Sequence, residues 1–593
     1  MIRTPLRPLA RILDARAKGE NPDAIERENL RLRHEEMRDR ARQRAEQRLL
    51  VLGAVFFCAF AVVGFRMGTL ANSEPQEPRT SVAGAAVAAS RGDIVDRSGR
   101  ILATNLETHA LYVHPHQLID PDRAADKLVE IFPDLDGDYL KRTFHSDAKF
   151  RWLKRRISPE QQQAVMDIGE PGLLFGRREM RLYPNGPVAS HILGGAAFDN
   201  EGVTSADIYG VAGVEARFND YLSDPQNADH PLQLSIDLTI QAAVEQVLDS
   251  GIKLMSAKGG TAILMDVHTG EVIAEASLPD FDPNDRPPPP TEGHPEDSVL
   301  FNRGVQGRYE LGSTFKIFAV SQALELGLVT PDTKIDVRAP IRWGRFTIND
   351  DHKYEPDMSV TRIIAKSSNI GTARIAQMIG PERQQAFLTS LGLTTPTSFE
   401  LPDAKIASPL LPQRWSELSM MTISFGHGLA ASPLHLAAAY STIANGGTQV
   451  RPTLLRKDGP QHGTRVISQR TADQALSMLR QVVTDGTASM AEVEGYRVAG
   501  KTGTADKAKP TGGYYDDRVI ATFAGVFPAD APKYVLITTL DEPSENSGRM
   551  PRRTAGWTAV PTAAEIIRRV APLLGLRPKI EPVQLVDVSL SAN

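Results

Sequence analysis

From Leu49 to Phe65 the chain carries no charged residue, and past Arg66 the apolar character resumes from Met67 to Ala71. A stretch of roughly 20 such residues is long enough to cross a bilayer as a helix, with Arg66 able to snorkel toward the interface. This run constrains the fold most, because it separates a polar stretch, residues 1–48, from about 520 residues beyond it. Thirteen Arg and Lys residues precede the run, several close to it (Arg38, Arg40, Arg42, Arg44, Arg48), whereas the next basic residue after Arg66 is Arg79. That asymmetry predicts an N-terminus in the cytoplasm. Small residues around Val82 to Ser90 imitate a signal-peptide cleavage site, but they lie too far beyond the apolar run, so an uncleaved anchor over 49–71 is expected.

The length, 593 residues, exceeds one ordinary domain, and a composition 41% hydrophobic and 23% charged suits packed globular domains. A formal net charge of −5 over this length gives no basic face for nucleic acid. The one cysteine, Cys58, sits inside the apolar run, so no intrachain disulfide forms and any nucleophile has to be an oxygen. Residues 72–90, rich in Ser, Ala, Pro and Glu, read as a tether. A first external domain extends to about residue 230, a second from 231 to 577, and 578–593 reads as a tail.

The second external domain reads as α+β. Thr261 to Val267 and Glu271 to Ser277 are apolar segments joined by His268-Thr269-Gly270, a hairpin signal. Val519 to Phe527 and Lys533 to Leu540 form a second strand pair, and Tyr496 to Ala499 is strand-like. Ala564 to Leu574 repeats its apolar residues at helical spacing. An antiparallel sheet with helices on both faces is the expected arrangement.

Gly312-Ser313-Thr314-Phe315-Lys316 opens a stretch of helical apolar spacing that ends at Gly327. Residues three apart share a helix face, which brings the Lys316 amine beside the Ser313 hydroxyl, a nucleophile with its base. Alone the motif is weak: a chain this long contains on the order of one Ser-x-x-Lys by chance, and Ser146 to Lys149 is such a decoy. Company changes its weight. Ser367-Ser368-Asn369 follows, then Lys501-Thr502-Gly503-Thr504, in the order expected of an acyl-serine enzyme. Ser544-Glu545-Asn546 repeats the second element but falls after the third.

These boxes resemble those of the penicillin-binding and serine β-lactamase superfamily, and nearly the whole chain beyond residue 48 resembles class B penicillin-binding proteins. Arg91 to Arg100 looks like the opening motif of that family's non-catalytic pedestal, with further matches at Arg181-Leu182-Tyr183-Pro184, Gly213-Val214-Glu215 and Asp266 to Asn284. Leu311 stands where the family usually has proline, a departure at the helix entry that touches no reacting group. The resemblance implies a pedestal domain and a transpeptidase domain. It implies that Ser313 forms an acyl-enzyme with a D-alanyl-D-alanine stem peptide, with Lys316 as base. Lowering a lysine from about 10.4 toward 7 or 8 requires about 4 kcal/mol against its charge, with Lys501 as the neighbouring cation. Ser367 relays the proton, Asn369 binds the peptide, and Lys501, Thr502 and Thr504 hold the terminal carboxylate. Gly503 lets the substrate backbone lie against the strand, and the backbone N–H groups of Ser313 and Thr504 form the oxyanion hole.

The implied partners are stem peptides, a lipid-linked precursor, β-lactams, a membrane glycan polymerase and division proteins, at the inner membrane with the catalytic domain periplasmic. The division-specific branch is favoured by Ser424 to Tyr440, Val519 to Pro543 and Ala555 to Pro561. Neither metal nor cofactor is implied, because the 13 histidines show no ligand spacing and no phosphate-binding Gly-rich loop is present. His427 is expected to hydrogen-bond locally. A β-lactam-sensing receptor would need a larger cytoplasmic domain than 48 residues, and a β-lactamase has no use for a pedestal and anchor.

Overall fold

A computed structural model describes residues 91–199, 207–344, 346–509 and 512–579, and before them 7–20, 52–64 and the isolated positions 23, 27, 28, 31, 35, 38 and 67. The chain divides into two compact units, Met1–Arg79 and Thr80–Asn593. In the first, Arg7–Ala17 is an α-helix and residues 52–64 are helical and exposed. Among the described residues no helix is long and apolar enough to cross a membrane. Of the expected span, residues 49–51, 65–66 and 68–71 lie outside the described residues, as do the tether 72–90 and tail positions 580–593.

The second unit begins with the antiparallel strands β1 (Ile94–Val95), β2 (Ile101–Val113), β3 (Arg151–Ile157) and β4 (Leu173–Leu182), in which β2 pairs with all three others. Asp96 shapes the β1–β2 turn: its carboxylate accepts from the backbone N–H groups of Ser98 (2.8 Å) and Arg100 (2.9 Å) and from Arg100 Nε (2.7 Å). The motifs around Arg91, Arg181 and Glu215 meet in one buried network. Arg91 Nε donates to Glu215 Oε2 at 2.8 Å and Arg181 Nε to Oε1 at 2.6 Å, while the Tyr183 hydroxyl donates to the same Oε1 at 3.3 Å. Two guanidiniums neutralise a carboxylate that is 0% exposed, as burying a charge demands.

Strand β5 (Leu232–Gln233) runs parallel to β1. The point read from sequence as the start of the second domain is therefore a strand of the pedestal sheet; only long-range pairing reveals this. The joint is fastened further along by Asn284, which accepts from Tyr183 N and donates to Tyr183 O, both at 2.9 Å.

The second region opens with α1 (Leu238–Leu254), capped by Asp237, followed by β6 (Gly259–Asp266) and β7 (Val272–Leu278). Then come α2 (Lys316–Glu325), α3 (Val360–Lys366), α4 (Asn369–Ile379), α5 (Pro433–Ala444) and α6 (Gln469–Asp485). The chain ends with β8 (Ala499–Ala508), β9 (Tyr514–Phe527), β10 (Tyr534–Asp541) and α7 (Ala559–Leu573). The sheet is antiparallel in the order β8-β9-β10-β6-β7. Its central strands are buried on both faces, with α1 and α7 packed together against it and α5 packed against β10, β6 and β9.

The hairpin at His268-Thr269-Gly270 forms as expected: the Asp266 carboxylate accepts from His268 N and Thr269 N, and Gly270 adopts φ +73°. Two boundaries differ from the sequence reading. The strand expected over Tyr496 to Ala499 instead starts at Ala499 and carries Lys501–Thr504 in its first half, because pairing from Ala499↔Val526 to Thr504↔Ala521 extends a segment with no apolar alternation. Pro578 and Lys579, read as tail, are still pinned, with Lys579 N donating to Gly495 O at 2.9 Å.

Candidate active site

Ser313 lies in a 3-10 turn, Gly312–Phe315, that runs straight into α2. The cap positions are Leu311 and Phe315, so Ser313 is not an N-cap serine. Its side chain is half-buried, and among the described residues its hydroxyl has no hydrogen-bond partner. The turn is braced from behind by the buried Tyr440 hydroxyl, which donates to Thr314 O at 2.8 Å. Gly312 takes φ +54°, and Gly426 packs so closely that a Cβ there would lie 1.9 Å from Gly312 O. Backbone thus meets backbone, which only glycine permits.

On the other side of the turn stands β8. A Cβ on Gly503 would lie 2.2 Å from Leu311 O and 2.8 Å from Thr314 Cγ2. The missing side chain of Gly503 therefore makes room for the serine turn.

Ser367 is the C-cap of α3, in the left-handed conformation φ 66°, ψ 42°, and Ser368 is the N-cap of α4, accepting from Gly371 N at 3.0 Å. This tight helix–turn–helix brings Ser367 between two lysines. Lys316 Nζ donates to Ser367 O and reaches its Oγ at 3.1 Å, while Lys501 Nζ reaches the same Oγ at 3.0 Å. The hydrogen bonds of the Lys316 amine thus go to Ser367, and among the described residues it forms none to Ser313.

Both lysines are 0% exposed. Burial lowers Lys316 to about 7, with Asp350 and Asp351 pulling the other way. Burial, then the nearby Lys316, lowers Lys501 well below the usual range. Two ammonium groups cannot both stay charged on one hydroxyl in a dry pocket, so the cluster holds an amine able to accept a proton near neutral pH. A serine oxygen between two amines can donate to one and accept from the other, a short path for a proton.

The remaining expected residues surround this cluster. Asn369 Nδ2 donates to Asn349 O at 3.0 Å, Thr502 and Thr487 hydroxyls are 2.6 Å apart, and Thr504 Oγ1 accepts from Ala555 N at 2.9 Å. Sequence reasoning missed Asp350, whose carboxylate accepts from the Ser368 hydroxyl at 2.7 Å and from the N–H groups of Asn369 and Ile370. It also missed Thr487, Gly312 and Gly426. No spacing rule reaches a carboxylate in a polar loop 18 residues before the serine it binds. The decoys take ordinary turn roles: Ser146 Oγ donates to Thr143 O, and Ser544 Oγ to Asn546 Oδ1 at 2.7 Å. His427 N donates to Thr422 O at 3.0 Å, whereas among the described residues its buried Nδ1 has no hydrogen-bond partner and its ring tilts against Phe425, centroids 5.5 Å apart. Among the described residues no His, Cys, Asp or Glu group is arranged to hold a metal ion.

With the geometry in place, sequence comparison decides the lineage. The penicillin-binding protein transpeptidase domain matches residues 260–567. The chain belongs to the penicillin-binding protein transpeptidase family. The family's dimerisation domain matches residues 86–228. The chain is 35% identical to the probable peptidoglycan D,D-transpeptidase FtsI of Caulobacter vibrioides, over 94% of each chain. It is 30% identical to the peptidoglycan D,D-transpeptidase FtsI of Escherichia coli, over 77% of this chain and 80% of that one. Among solved structures it resembles penicillin-binding protein 3 of Mycobacterium tuberculosis in its apo form, with TM-score 0.62 and 28% identity, over 83% of this chain and 97% of that one.

Proposed function

We propose that this penicillin-binding protein is a peptidoglycan D,D-transpeptidase that forms its acyl-enzyme on Ser313. The observation that carries the assignment is the buried Lys316–Ser367–Lys501 cluster beside the half-buried Ser313 turn. A serine hydroxyl is a weak nucleophile at its ordinary pKa and needs a neutral acceptor as it attacks the penultimate D-alanine carbonyl. Lys316, poised near 7, takes that proton as the new ester bond forms. Ser367 passes a proton toward the leaving D-alanine amine, after which the amine of a second stem peptide attacks the ester and frees Ser313. Asn369 binds the donor peptide, Lys501, Thr502 and Thr504 take its terminal carboxylate, and the N–H groups of Ser313 and Thr504 stabilise the oxyanion. No metal or cofactor enters these steps.

Residues 49–71 anchor the protein in the inner membrane, with 1–48 cytoplasmic and the pedestal (72–230) and transpeptidase domain (231–577) periplasmic; the apolar run, its helical residues 52–64 and the charge asymmetry support this. Similarity to FtsI proteins over most of the chain supports septal cross-linking alongside a membrane glycan polymerase that draws on lipid-linked precursor. A fluorescent fusion is expected to gather at midcell; distribution along the side wall would move the protein to the elongation branch.

β-Lactams mimic the D-alanyl-D-alanine amide and should leave one adduct on the Ser313 peptide. Mass spectrometry of penicillin-treated protein tests this directly. An adduct that persists in Ser313→Ala refutes the assignment.

A further inference from the structure

Ser367 occupies the left-handed region, φ 66° and ψ 42°, which disfavours any non-glycine residue. Neighbouring structure has to impose that conformation. Three consecutive residues after it, Ser368, Asn369 and Ile370, all donate to one carboxylate, that of Asp350. Asp350 follows the strand Phe346–Ile348 and so approaches α4 at its N-terminus, where the helix dipole favours a negative charge. Together with the Asn369 Nδ2 bond to Asn349 O and the packing of Ile348 with Ala373 and Ala376, the contact ties the hairpin before residue 349 to the turn that delivers Ser367 to both lysines.

We propose that Asp350 is a positioning residue for acylation: its carboxylate clamps the Ser367–Asn369 turn against Lys316 and Lys501, and its negative charge faces the Lys316 amine. This rests on the reading of Ser313 as nucleophile and Lys316 as base. The groups facing Lys316 are Lys501 from β8 and Asp350 and Asp351 from the loop. Tyr354, in the same loop, donates to Lys366 O at 2.8 Å and is pushed up to about 12, so it stays neutral. Asp350 and Asp351 are the two negative charges that help Lys316 keep its proton. Asp350 therefore does two separable things: it fixes geometry through hydrogen bonds and opposes deprotonation of the base through charge.

Two substitutions in the full-length, detergent-solubilised protein separate them, with fluorescent penicillin as probe and acylation rate followed across pH. In Asp350→Asn the amide oxygen can accept both N–H groups and the amide nitrogen can donate to Ser368, so the clamp survives without the charge. Its plateau rate is expected within about threefold of wild type, and its acidic limb should move to lower pH, because Lys316 loses its proton more readily. Asp350→Ala loses the clamp, and displacement of the turn should cost about 10²-fold in acylation at every pH. An Asp350→Ala protein that acylates as wild type overturns the proposal, as does an acidic limb that stays fixed or moves up in Asp350→Asn. Should Asp350→Ala fail to melt cooperatively, the pH profile of Asp350→Asn decides. Ser313→Ala in parallel keeps the two readings apart: its lost adduct beside an indifferent Asp350→Ala removes only the positioning role, whereas a persisting adduct removes the acyl-serine reading itself.

Discussion

Replacing Gly503 by alanine tests whether the serine turn is held by direct backbone packing on β8. The new Cβ would stand 2.2 Å from Leu311 O, where ordinary contact begins at 3.4 Å, so the difference of 1.2 Å has to be found by moving the strand or the turn. Neither yields easily. The strand is paired with β9 on both sides of residue 503, and the turn is backed by the Tyr440–Thr314 hydrogen bond and by Gly426. Overpacking of this kind costs about 1–3 kcal/mol, which in a domain of this size lowers Tm by a few degrees, roughly 2 °C per kcal/mol. A shift of about 1 Å in Ser313, the proposed nucleophile, relative to β8 should cost about 10²-fold in rate. Melting of the purified full-length protein and the second-order rate of acylation by fluorescent penicillin measure the two effects together. If Gly503→Ala slows acylation with Tm unchanged, the glycine serves only the substrate and the packing account is wrong; if neither changes, the turn does not lean on β8.

The acylation rate should rise with pH through an acidic limb centred near 7, since burial holds Lys316 at about 7 and only its neutral form accepts a proton; a rate flat from about pH 5 to 9 would remove Lys316 as base. Lys316→Met should abolish acylation yet raise Tm. The folded-state value lies below the ordinary 10.5, so burial penalises the wild type fully below pH 7, and the Tm gap should shrink as pH rises toward 10.5; a gap that widens with pH contradicts the assigned burial penalty. Glu215→Ala leaves Arg91 and Arg181 buried without their carboxylate and should destabilise the pedestal by about 3–5 kcal/mol, visible as a lower urea midpoint. An unchanged midpoint would show that the network carries little of the pedestal's stability.

Much of this protein is legible in its residues because the signals are local. The apolar run at 49–65, the hairpin at His268–Gly270, the helical spacing after Ser313 and the order of the three boxes each depend on neighbours within a few positions. They delimit an apolar segment, an α+β domain and the oxygen and amines of the candidate site. Tertiary structure decided which of those groups touch. Lys316 is three residues from Ser313, yet its hydrogen bonds go to Ser367, 51 residues away, and Lys501 reaches the same oxygen across 134. Asp350 entered the site through a loop with no periodicity, and Gly503 took its role from a backbone nearly two hundred residues earlier in the chain. Periodicity reports which face of an element a residue occupies; it says nothing of what that face meets. That is determined by long-range strand pairing and close packing, and the same burial that brings the two amines together lowers their affinity for protons.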